Sequence, residues 1–109
     1  MTEPFWEKQK VASVIDEVSK ELDIALAPQE SNAAVMELVD LSKTLNELAG
    51  KENIDSDALK AIMDEEIGVR MNAALANSQV SLAERERLAR ALKSKVIDDH
   101  RLGMEPWWP

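Results

Sequence analysis

Apolar residues recur at steps of three and four in four separate stretches of the chain, a spacing that gathers each set on one side of a helix. Val11, Val14, Ile15, Val18 and Leu22 form the first stripe, and Val35, Leu38, Val39, Leu45 and Leu48, with Ser42 among them, form the second. The third runs Leu59, Ile62, Met63, Ile67, Met71 and Leu75, and the fourth Leu88, Ala89, Leu92 and Val96. Nowhere do apolar and polar residues alternate over a run rich in β-branched types, so no β-sheet is expected.

The residues between the stripes set the predicted ends. Pro4 suits an opening helical turn, with Glu3 and Glu7 near the positive end of the helix dipole. Pro28 disfavours helical geometry at Ala27 and marks the stop of the first helix. The second begins around Ser31 or Asn32, with Gly50 as its expected left-handed cap. Asp55 and Ser56 are the candidate caps of the third. Ser81 stands three residues before Glu84, the signature of a capping box, and Gly103 is the stop of the fourth helix. The helices are therefore expected over about 4–26, 31–49, 56–77 and 82–101, in one domain over 1–103 followed by a short tail over 104–109.

Short loops between amphipathic helices favour an all-α, up-down four-helix bundle, in which one core covers every stripe. A chain of 109 residues buries enough surface to fold without metal or disulfide. Ile24, Leu26, Leu41, Val69 and Ile97 lie beside the stripes, a surplus of apolar surface that admits a homodimer. Gly68, Ala73, Ala74 and Ala76 thin the third helix and predict close approach by a neighbouring helix there.

Charge narrows the partners. The formal net charge is −8, and residues 1–80 carry 7 basic and 16 acidic side chains against 6 and 5 in residues 81–109. Nucleic-acid affinity is built on Lys and Arg neutralising phosphates, so no direct nucleic-acid partner is expected. An acidic surface favours encounter with a basic protein surface. The absence of cysteine excludes disulfides, thiolate catalysis and Cys-based metal sites. Apolar runs fall far short of the roughly 20 residues that span a bilayer, and the first residues lack a signal peptide's basic and apolar stretches. The expectation is a cytoplasmic protein with no membrane partner.

All four aromatic residues, Phe5, Trp6, Trp107 and Trp108, lie at the two ends of the sequence. An even number of helices in an up-down bundle returns the last to the end where the first began, so these rings are placed to form an aromatic clasp. The rival reading makes Met104, Trp107 and Trp108 a docking motif: Pro106 and Pro109 stiffen the segment, and tryptophan dominates many protein interfaces.

Candidate chemistry is thin. Asp98, Asp99 and His100 are consecutive, and neighbours on a helix point about 100° apart, so they do not converge on one ion; His100 and Arg101 instead suit the negative end of the helix dipole. Asn53, Asp55, Asp57 and Asp64 have a calcium loop's spacing, but Ala58 stands where the loop needs glycine, and Asp64 replaces the bidentate glutamate. Asp64, Glu65 and Glu66 lack the Glu-x-x-His pairs of di-metal bundles. There is no glycine-rich phosphate loop, and no serine has an evident histidine partner. On helix 4, Glu86 and Arg90 are spaced for an ion pair, and the helix's other cations are expected to face carboxylates across the bundle.

Neither catalytic residues nor cofactors are expected, and no metal site. The expected function is a non-enzymatic protein-binding module: an adaptor, inhibitor or accessory subunit. Two alternatives stand beside it, an acidic decoy that mimics nucleic acid and blocks a basic protein, and a metal-dependent regulator using Asn53, Asp55, Asp57, Asp64 or His100.

Overall fold

The computed structural model describes residues 7–51 and 56–98, apart from the side chains at 49–51, 56, 97 and 98. Within these residues lie four α-helices: α1 (Lys8–Glu21), α2 (Pro28–Lys51), α3 (Ser56–Ala74) and α4 (Leu82–Lys93). The last continues into a π-helical turn at Ser94–Asp98, and no described residue is in a strand. Each helix packs on its sequence neighbours, and α4 returns to α1. The all-α four-helix bundle that the stripes required is therefore closed into a ring.

The four stripes meet in one core. Ile15, Leu38, Leu45, Met63, Ile67, Met71, Leu88 and Leu92 are all fully or almost fully buried. So is Leu41, which the stripe pattern had set to one side. The reason is geometric: a helix in a closed ring touches two neighbours, so its buried arc is wider than a single seam and takes in Leu41 on one flank and Val35 on the other. Ile24 is buried and Leu26 packs against the core. Ile24, Leu26 and Leu41 of the apolar surplus are thus spent internally, Val69 remains on the surface, and the Ile97 side chain lies outside the described residues. The two buried hydroxyls are satisfied within their own helices, Ser19 donating to the Asp16 carbonyl at 3.0 Å and Ser42 to the Val39 carbonyl at 2.6 Å.

The helix ends depart from expectation for definable reasons. The first helix stops at Glu21 rather than near 26. Leu22 is its cap, Asp23 turns left-handed at φ 57°, and the Ile24 amide bonds back to the Ser19 carbonyl at 2.9 Å while the Asp23 amide bonds to Lys20 at 3.2 Å. This is a Schellman closure with aspartate where glycine is usual. Pro28, expected to end one helix, instead begins the next: its missing N–H costs nothing in a first turn, and the Glu30 carboxylate accepts the Ala27 amide at 2.7 Å. Ser31 and Asn32 thus lie inside α2. Gly50 also lies inside it rather than forming a left-handed cap, because α2 runs on to Lys51.

Asp55 falls outside the described residues, and Ser56 is the first residue of α3. That helix ends at Ala74, three residues before the predicted 77. The Ser78 hydroxyl donates to the Leu75 carbonyl at 2.7 Å and accepts the Val80 amide at 3.1 Å, folding the chain over. The capping box at α4 forms as predicted: the Glu84 amide donates to Ser81 Oγ and the Ser81 amide to Glu84 Oε1, both at 3.1 Å. Near Gly68 no helix makes the close approach expected there. The space holds the Lys93 side chain, and a Cβ built on Gly68 would lie 3.5 Å from its Nζ.

Candidate functional site

The connections over 22–27 and 75–81 come together at one end of the bundle, and between them lies an open cleft of about 750 Å³. This falls in the range of roughly 300–1,000 Å³ common for ligand sites. Ala25, Ala27, Ala74 and Val80 give it an apolar floor, while Gln29, Asn77 and Gln79 bring three side-chain amides to it. Ser78, Glu30 and Glu84 complete the lining. Each of the two glutamates is the third residue of its helix and uses one carboxylate oxygen to accept the amide of the cap residue, Ala27 or Ser81. The positive ends of two helix dipoles thus face the cleft, and each meets a carboxylate of its own. Among the described residues no cationic side chain lines it. The turn chemistry that ends α1 and α3 and begins α2 and α4 is therefore also what builds this cleft.

A second polar feature joins α2 to α3. Arg70 Nη1 donates to Asp40 Oδ2 at 2.7 Å and to the Glu37 carbonyl at 3.3 Å, with the Glu37 carboxylate 3.6 Å away, while Nε donates to Glu66 at 3.3 Å. The Arg70 side chain is only 15 % exposed. Burial by itself would lower its pKa, but the hydrogen bonds and charges of Asp40 and Glu66 outweigh burial and raise it, so the guanidinium stays charged. This bridge was not foreseen, because its residues are about thirty apart in sequence and only the pairing of α2 with α3 brings them together. The expected role for the cations of α4 is met in part. Lys93 reaches Asp64 at 3.8 Å, Lys95 of the π turn reaches Glu21 at 3.4 Å, and Arg87 donates to the Leu22 carbonyl at 3.5 Å. No ion pair joins Glu86 to Arg90 among the described residues.

The remaining sequence candidates are distributed as follows. Phe5, Trp6, Met104, Trp107 and Trp108 lie outside the described residues, as do Asn53, Asp55 and His100. Asp57 is exposed in the first turn of α3, and Asp64 is exposed beside Lys93. Among the described residues no three His, Cys, Asp or Glu side chains are grouped to hold a metal ion. No described helix is long and apolar enough to cross a membrane. The cleft itself was missed in the sequence, although its two glutamates each stand three residues after a cap, and that spacing was recognised only at Ser81.

No protein-family model matches the chain, and neither a curated protein nor a solved structure matches it.

Proposed function

We propose that this chain is a non-enzymatic, acidic helical module that acts as an adaptor, inhibitor or accessory subunit by contact with a basic surface of another protein. The observation that supports this reading is how the molecule divides its residues. The apolar stripes are almost wholly spent on the core, and the described outer face is rich in carboxylates. Asp23, Glu47, Asp57 and Glu65 are exposed and take part in none of the ion pairs found among the described residues. A surface of this kind steers a basic partner toward the module, and affinity then requires an anchor. Met104, Trp107 and Trp108 supply that anchor in this reading, since stiff tryptophan-bearing segments lose little entropy when they enter a pocket.

The experiment is affinity capture on the immobilised full chain from a lysate of its source, followed by calorimetric titration of the purified partner. A basic protein binding with defined stoichiometry is the expected result. If nothing is retained even at low ionic strength, the proposal fails.

A further inference from the structure

We infer that the cleft between the 22–27 and 75–81 connections is a recognition site for an arginine- or lysine-bearing segment of the partner, an inference that rests on the partner being a basic protein. The charge of the lining decides the sign of the ligand. Helix amino-terminal ends by themselves attract anions, but here Glu30 and Glu84 occupy both of them, and each carboxylate spends one oxygen on its cap amide and keeps a second for a ligand. Among the described residues the lining holds two carboxylates and no cation, and Arg87 nearby is engaged with the Leu22 carbonyl, so a guanidinium or ammonium group is favoured over an anion.

The neutral part of the lining points to a peptide rather than a free cation. Gln29, Asn77 and Gln79 are exposed, and among the described residues no hydrogen bond is found for their side-chain amides. A side-chain amide both donates and accepts, which is what the main chain of an extended peptide requires. The alanines and Val80 leave a smooth apolar floor for the aliphatic stem of a lysine or arginine. The volume of about 750 Å³ accommodates such a side chain together with adjoining main chain.

The test is a nitrogen-15 NMR titration of the full chain with a short, end-blocked peptide of alternating glycine and arginine, compared with the same peptide carrying citrulline in place of arginine. The amides of Ala27, Gln29 and residues 77–80 are expected to shift with the arginine peptide and not with the citrulline one. Glu30→Gln with Glu84→Gln removes both charges yet keeps the capping hydrogen bonds, because glutamine serves at that position too. This pair is expected to weaken binding about tenfold, as loss of two partly exposed charge pairs would.

The control pair Glu47→Gln with Asp57→Asn removes the same charge elsewhere and is expected to weaken binding less than about twofold. Equal weakening by both pairs would overturn the cleft as the site while leaving the basic-partner reading in place. Equal binding of spermidine at the same amides would overturn the peptide assignment. Failure to capture any basic partner sinks the broader reading and is a separate result from either of these.

Discussion

Replacing Arg70 by methionine removes one cation that joins α3 to α2 through two carboxylates and a carbonyl and also pairs with Glu66 on its own helix. Methionine keeps an unbranched stem of helix-favouring character, so the loss falls on the charged contacts. Exposed ion pairs contribute about 0–1 kcal/mol, whereas hydrogen bonds to charged groups in partly buried settings contribute about 1.5–3 kcal/mol. The guanidinium, 15 % exposed, belongs nearer the second class, but Asp40 at 67 % and Glu37 at 40 % are well solvated and draw the value down.

A cost of about 1.5–2.5 kcal/mol follows, including the repulsion left among Glu37, Asp40 and Glu66. In urea unfolding followed by circular dichroism, with a slope of about 1–3 kcal/mol per molar, the midpoint should fall by about 1 M. Arg70→Lys, which keeps the charge and loses the planar fork, should lie between the wild type and Arg70→Met. A loss under about 0.5 kcal/mol for Arg70→Met, or a lysine variant as unstable as the methionine one, would refute the bridging role.

Three further outcomes test the fold. Leu41→Ala should cost about 2–5 kcal/mol by urea unfolding, the value of a fully buried leucine rather than a flanking one. Asp23→Val should lower stability by about 1–2 kcal/mol because a β-branched residue is strained at φ 57°, while Asp23→Gly should hold or raise the melting temperature. Gly68→Ala should stabilise by about 0.5–1 kcal/mol in thermal unfolding, since the added methyl meets only the flexible end of Lys93 at ordinary contact distance.

How much was legible in the sequence varies with the range of the interaction involved. The stripes are local and periodic, and nearly all their residues proved to be core; the capping box at Ser81 and Glu84 is equally local and formed as expected. Helix ends were harder. A Schellman closure built on Asp23 lacks the usual glycine signal, and a proline at 28 fits either the end of one helix or the start of the next until the Glu30 carboxylate is seen to hold the Ala27 amide. The Arg70 bridge and the cleft were not legible at all, because each is made by segments distant in sequence. Leu41 was misplaced for a related reason: its burial depends on how many neighbours its helix has.

The most direct test of the proposed mode of action is the salt dependence of the dissociation constant for the captured partner, measured with the full chain and with Trp107→Ala combined with Trp108→Ala. If the tail is the anchor, the double variant should bind at least about 30-fold more weakly, corresponding to 2 kcal/mol or more, at low and physiological ionic strength alike. Unchanged affinity in the double variant, together with binding that collapses as salt rises, would contradict the anchored module and favour an acidic decoy.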